Sequence, residues 1–251
     1  ITIQLDASGN ASIVAADLDG GSADNCGTPA LSISQSSFDC SNVGANPITL
    51  TAEDNNRNTD ACTAQVTVED SEAPTAVCQN ITIQLDASGN ASIVAADLDG
   101  GSADNCGTPA LSISQSSFDC TNVGANSISL TATDNSSNTD ACTAQLTVED
   151  NEAPTALCRD ITIQLDAGGN ASITSAEIEN GSTDNCGTVN LVGLDISSFG
   201  CSELGSNTVT LTVEDGNGNS SSCQATVNVE DNEAPTAVCQ DITVQVDASG
   251  N

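Results

Sequence analysis

A ten-residue phrase, Ile1-Thr-Ile-Gln-Leu-Asp-Ala-Ser-Gly-Asn10, governs the chain. It returns at Ile81, at Ile161 with Gly168 for serine, and as Ile-Thr-Val-Gln-Val-Asp from Ile242, a period of 80 to 81 residues. That period is too long for one coil of a solenoid and predicts a string of small domains. The extra residue of the third copy falls between Cys186 and Cys201, where the earlier copies have Cys26–Cys40 and Cys106–Cys120.

Each period reads as strands and turns. Ile81, Ile83 and Leu85 alternate with polar residues, and so do Ala91, Ile93 and Ala95. Ile128, Leu130 and Ala132 follow the same rule, as do Cys142, Ala144, Leu146 and Val148. Asp86-Ala-Ser-Gly-Asn90 and Asp134-Asn-Ser-Ser-Asn138 are turns between them. Two-residue alternation without a helical stripe predicts antiparallel sheets with one buried face. About seven short segments per period fit a β-sandwich. One phenylalanine per copy (Phe38, Phe118, Phe199) gives a thin core that needs disulfides or metal for support.

The copies meet at Val-Glu-Asp-x-Glu-Ala-Pro-Thr-Ala, found at Val68–Ala76, Val148–Ala156 and Val229–Ala237. Proline removes a donor and holds the chain extended, so this is a short, stiff joint. The joints place the domains at 1–72, 73–152, 153–233 and 234–251. On this division residues 1–72 lack the start of their first strand, and 234–251 are the opening strand and turn of a further domain. The cut predicts a window on a longer polymer, or strand exchange between subunits.

Twelve cysteines occur with no histidine and no Cys-x-x-Cys, which excludes the usual zinc spacings and points to disulfides in an oxidising, extracellular setting. If the first and last strands of a sandwich run parallel, Cys78 pairs with Cys142 and Cys158 with Cys223. The close pairs Cys26–Cys40, Cys106–Cys120 and Cys186–Cys201 remain, and Cys62 and Cys239 lack partners. Pairing Cys62–Cys78 across the joint is the other connectivity weighed.

The chain carries 35 acidic and 2 basic side chains, a formal charge of −33. Such a field excludes nucleic acid and anionic membrane surfaces as partners and invites divalent cations. No stretch approaches the roughly 18 apolar residues of a membrane span. Three acidic loops are expected at one end of each sandwich. The joint supplies Glu69, Asp70 and Glu72. The loop after the second strand supplies Asp97, Asp99 and Asp104, and the last hairpin Asp134. The second joint has Glu149, Asp150 and Glu152, facing Glu177, Glu179, Asp184 and Asp215. The third has Glu230, Asp231 and Glu233. An all-oxygen donor set of irregular geometry suits Ca²⁺. An enzyme is not expected, since the chain has no His or Lys to serve as base and its serines sit in turns without triad partners.

The Ile-Thr-Leu-Thr-Ala-x-Asp-Asn-x-x-Asn hairpin, the cysteine after it, the Thr-Val-Glu-Asp-x-Glu-Ala-Pro joint and the cysteine beyond it resemble hyalin-repeat (HYR) domains. They are most similar to the four-cysteine form found in giant cell-surface proteins of Bacteroidota. The joint also resembles the Asp-x-Asn-Asp-Asn-x-Pro calcium linker of cadherins, with Glu-Asp-x-Glu in place of the Asp/Asn series. The resemblance implies tandem immunoglobulin-like domains in an extended array. It further implies a structural role in an extracellular adhesin stalk or surface filament, including gliding-motility adhesins exported by type IX secretion. Partners would be further copies of the repeat, surface glycans or other cells. The alternative is a glycan- or protein-binding adhesion module.

Overall fold

A computed structural model of the protein describes residues 1–250. The chain forms two compact units, Ile1–Glu149 and Asp150–Asn251. The architecture is all-β, of tandem immunoglobulin-like sandwiches, with two copies of the repeat in the first unit and one in the second.

In the first copy the strands are β1 (Thr2–Gln4), β2 (Asn10–Ser12), β3 (Ala30–Ile33), β4 (Ser37–Asp39), β5 (Gly44–Glu53) and β6 (Thr59–Glu69). The second copy has β7 (Ile81–Gln84), β8 (Asn90–Ser92), β9 (Ala110–Ile113), β10 (Ser117–Asp119), β11 (Gly124–Thr133) and β12 (Thr139–Glu149). The third has β13 (Ile161–Gln164), β14 (Asn170–Ser172), β15 (Asn190–Leu194), β16 (Ser198–Gly200), β17 (Gly205–Glu214) and β18 (Ser220–Glu230). Residues 231–250 form no helix or strand.

Each copy builds a four-stranded sheet, ordered β7-β12-β11-β9 in the second, and a two-stranded one, β10-β8. The first strand pairs parallel with the last, Leu146 opposite Ile81 and Glu149 opposite Gln84. The long hairpin β11–β12 stays in register from Gly124 opposite Val148 to Thr133 opposite Thr139. Its alternation sends Ile128, Leu130, Ala132, Ala144, Leu146 and Val148 inward, none more than 1% exposed. Phe118 enters from the two-stranded sheet, 3% exposed. Burying a Val, Leu, Ile or Phe contributes about 1.5–3 kcal/mol, so these few side chains carry most of the core.

One detail differs from the sequence reading. The second strand ends at Ser92, and Ala95 lies in a helical turn, Ala95–Leu98, whose Leu98 is fully buried. The third copy absorbs its additional residue as a β-bulge between Leu191 and Gly193, which leaves the pairing on either side intact.

The cysteines pair partly across copies. Cys78 bonds Cys142 and Cys158 bonds Cys223, each tying the segment ahead of the first strand to the last strand. The short-range pairs Cys26–Cys40 and Cys106–Cys120 do not form, because Cys40 bonds Cys106 of the next copy. Cys186–Cys201 does not form either: Cys201 is a free, exposed thiol, as are Cys26, Cys62 and Cys239. Cys62–Cys78 is excluded by the Cys78–Cys142 bond. The Cys40–Cys106 bridge packs on Gly9, whose φ of +73° belongs to the turn after β1. A Cβ there would stand 2.7 Å from the sulfur of Cys40 and 2.9 Å from the Asn105 carbonyl oxygen. Both the backbone conformation and the close approach of the next copy demand glycine.

Candidate metal centre at the joints

The last hairpin sets the first ligand. In its turn Asp134 N–H donates to the Asn138 carbonyl, and Ser137 takes a φ of +72°. The Asn138 main-chain N–H and side-chain amide, each at 2.7 Å, hold the two Asp134 carboxylate oxygens. The same amide also reaches the Asp70 carbonyl oxygen at 3.1 Å, so the turn grips the joint directly. Asp104 sits in an Asp-Asn-Cys turn, where the Cys106 N–H donates to one of its oxygens at 2.9 Å. Asn105 spends its amide hydrogens on the Asp6 carbonyl at 3.1 Å and on Asp70 Oδ1 at 3.4 Å.

These contacts bring a carboxylate oxygen of Asp70, Asp104 and Asp134 within 4.8 Å of one another. Asp70 and Asp134 are buried, 7% and 9% exposed. Asp104 Oδ1 and Asn105 Oδ1 are buried and accept no hydrogen bond. Two unit charges at that separation repel by roughly 3.5 kcal/mol at an effective dielectric of about 20. Three such pairs, with two acceptor oxygens left over, are costly without a cation. The donors are all oxygen, which fits a hard cation and excludes a thiolate or imidazole site. A groove of about 300 Å³ lined by Glu72, Ala73, Thr75, Asp104 and Asn105 lies beside the cluster at Asp104.

The second unit repeats the arrangement with Asp150, Asp184 and Asp215. Asp150 and Asp215 are 4% and 3% exposed, and Asp184 Oδ1 is buried without a hydrogen bond. Asn219 takes the role of Asn138, donating to the Asp150 carbonyl at 2.9 Å. Asn217 adds a contact that Ser136 does not make in the earlier copy, donating to Asp150 Oδ2 at 2.8 Å. Burial pushes the Asp215 carboxyl up, but hydrogen bonds from the Asn219 side chain and from backbone N–H groups of Asn219, Asn217 and Gly218 outweigh it. The net result lies below the usual carboxylate range.

The other acids of the sequence reading lie elsewhere. Glu69, Glu149 and Glu230 accept hydrogen bonds from Gln4, Gln84 and Gln164 across the parallel strand pair. Glu72 and Glu152 contribute their N–H groups to Asp70 and Asp150, with exposed side chains. Asp97 and Glu177 cap helical turns by accepting from the Val94 and Thr174 N–H groups. Asp99 and Glu179 close the following turns through Ser102 and Ser182, whose N–H groups hold both carboxyls below their ordinary values. Asp231 and Glu233 lie in the exposed segment after β18. Sequence reasoning passed over Asn105 and Asn138 as participants. The recurrence of Asp-Asn-Cys at Asp24, Asp104 and Asp184 was the available signal.

No protein-family model matches the chain, and no curated protein matches it. Solved structures similar to it include multi-domain protocadherin and titin fragments. Protocadherin gamma B7, extracellular cadherin domains 1–4, is 13% identical over 81% of this chain and 67% of that one, with a TM-score of 0.37. An I-band fragment of titin is 10% identical over 83% and 84%, TM-score 0.38. Mouse protocadherin-24 EC1-3 is 14% identical over 91% and 96%, TM-score 0.34. Among the described residues no helix is long and apolar enough to cross a membrane.

Proposed function

We propose that the chain is a structural segment of an extracellular adhesin stalk or surface filament. In this reading tandem immunoglobulin-like repeats are stiffened by calcium at acidic joints and held by disulfides. The observation that carries it is the meeting of Asp70, Asp104 and Asp134 within 4.8 Å, with acceptor oxygens of Asp104 and Asn105 unsatisfied. Asp70 belongs to the joint, while Asp104 and Asp134 belong to the loops of the following sandwich. A cation held by all three would fix the direction in which one sandwich leaves the other, which is what a stalk requires. When bound, calcium supplies the positive charge that the chain itself lacks there, with 2 basic side chains against 35 acidic.

The chain's own residues do the positioning. Asn138 and Asn105 hold the joint against the second sandwich, and Cys40–Cys106 limits how far the two can part. The four-cysteine pattern and the joint resemble hyalin repeats of giant Bacteroidota surface proteins, which supports export to the cell surface and further copies of the repeat as partners.

Equilibrium dialysis and titration calorimetry with Ca²⁺ test the site. Two equivalents bound, reduced to one by Asp104→Ala, are expected. No binding above that of a denatured control overturns the calcium joint and leaves only a chain of disulfide-linked spacers.

A further inference from the structure

The first and second joints carry the same trio of aspartates and satisfy it differently. At the first, Asp70 is 7% exposed, and its Oδ1 takes two long hydrogen bonds, from the Glu72 N–H at 3.3 Å and the Asn105 amide at 3.4 Å. Its Oδ2 takes none. Asp134 is held by Asn138, and the buried Oδ1 atoms of Asp104 and Asn105 accept nothing. At the second joint Asn217 donates to two members of the trio at once. Its main-chain N–H reaches Asp215 Oδ1 and its side-chain amide reaches Asp150 Oδ2, each at 2.8 Å. Asp150 and Asp215 are 4% and 3% exposed, so both contacts are shielded from water. The residue at this place in the second copy is Ser136, which makes neither contact.

An amide N–H carries partial positive charge, so donors placed on two neighbouring carboxylates relieve part of their repulsion. They also occupy oxygens that a cation needs. A hydrogen bond to an ionised group is among the stronger ones, and giving one up costs about tenfold in affinity. Asp184 Oδ1 is still buried without a hydrogen bond, so the second joint keeps an oxygen for a hard cation. We propose that Asn217 partly stands in for the cation at the second joint, so that Ca²⁺ binds the first joint about tenfold more tightly than the second. When calcium is withdrawn, the first trio loses the charge that holds it together. Asp150 instead stays fastened to the last hairpin of the third sandwich through Asn217 and Asn219. The joints then answer calcium one by one, and the residue two places after the hairpin aspartate decides the response. With serine there, as at Ser136, the joint depends on the cation; with asparagine, as at Asn217, it is set in advance.

This rests on the calcium reading above, and the test separates the two. Titration calorimetry with Ca²⁺ on the 251-residue chain should resolve two sites about tenfold apart in affinity. Asp184→Ala should leave the tighter site and Asp104→Ala the weaker one, with the double variant as background. Asn217→Ser gives the third copy the residue the second carries, and should tighten the second site about tenfold. Ser136→Asn should weaken the first site by a similar factor. In chelator the swaps should act on stability in the opposite sense: Asn217→Ser lowers the thermal midpoint and Ser136→Asn raises it. Asn217→Asp adds a carboxylate to the trio, so it should tighten the second site and lower the chelator midpoint further than Asn217→Ser does. Equal affinities in the parent, or a second site unchanged by Asn217→Ser, overturn the proposal and leave calcium at both joints. A second site weakened by Asn217→Ser also overturns it, because Asn217 then serves as a ligand through its carbonyl oxygen. No binding at either joint overturns the calcium reading and this proposal together.

Discussion

The side-chain amide of Asn138 donates to the main-chain carbonyl of Asp70 at 3.1 Å across 68 residues of sequence. The same amide holds Asp134, so one asparagine fixes both the joint and the hairpin turn that faces it. The carboxylates are therefore brought together by hydrogen bonds made for other reasons. Their repulsion is a consequence of that positioning and is relieved only by added positive charge.

Calcium should accordingly raise the thermal midpoint of the chain, and chelator should lower it. At a free concentration about 100 times the dissociation constant, a site absent from the unfolded chain contributes about 2.7 kcal/mol. Calorimetric scans in calcium and in chelator measure this directly. Superimposable scans would exclude a folded-state cation.

Neutralising one member of each trio should reverse sign with the buffer. Asp134→Asn and Asp215→Asn keep the shape and remove a charge from a site where each pair repels by roughly 3.5 kcal/mol at a dielectric of about 20. In chelator these variants should melt at or above the parent. In calcium they should melt below it. Asn219 bonds both Asp215 oxygens' side of the turn as Asn138 does for Asp134, so both variants lose some turn support, and the contrast between buffers is the informative readout. Destabilisation of equal size in both buffers would assign these aspartates to turn geometry alone.

The two kinds of disulfide should act differently. Cys78–Cys142 closes a separation of 64 residues inside one sandwich, and its loss through Cys142→Ser should cost about 4 kcal/mol on the chain-entropy estimate. Cys40–Cys106 joins two sandwiches, so Cys40→Ser should leave each folded while loosening the joint. A glutamate-specific protease should then cut after Glu72 severalfold faster, with little change in far-ultraviolet circular dichroism. Equal cutting of Cys40→Ser and parent would show that the bridge does not restrain the joint.

Much of this arrangement was legible in the chain itself. Alternation of Ile128, Leu130 and Ala132 dictates a strand, and strand order carries the loop after β8 and the β11–β12 turn to one end. What spacing could not resolve was which acids turn inward. Asp97 and Asp99 sit as close in sequence to Asp104 as any ligand would, but their oxygens are taken by local backbone N–H groups. The cross-copy bridge was hidden by periodicity. Cys40 stands near Cys26 in sequence, and the motif around Cys26 recurs at Cys106, so the pattern alone cannot separate a pair within one copy from a pair one period apart.

Asp39, Asp54, Asp99, Asp119 and Asp215 have carboxyls held below the ordinary value of 3.8. Side-chain hydrogen bonds from Ser41, Asn58 and Thr121 lead for Asp39, Asp54 and Asp119, and the Ser102 N–H leads for Asp99; burial opposes the shift at Asp215. A carboxyl whose folded value is depressed binds its proton first in the unfolded chain. Its stabilisation is therefore complete above the unfolded value and is lost as pH falls through the folded one. The sequence has no histidine, the side chain whose ordinary value lies between pH 5 and 8. Denaturant midpoints measured in chelator should thus be flat from about pH 5 to 7.5 and fall steeply below about pH 4. Asp119→Asn, which keeps an oxygen acceptor toward the Thr121 N–H, should shed part of that acid dependence. A stability maximum near pH 3 would mean that carboxylate repulsion, rather than these turn hydrogen bonds, dominates the acidic limb.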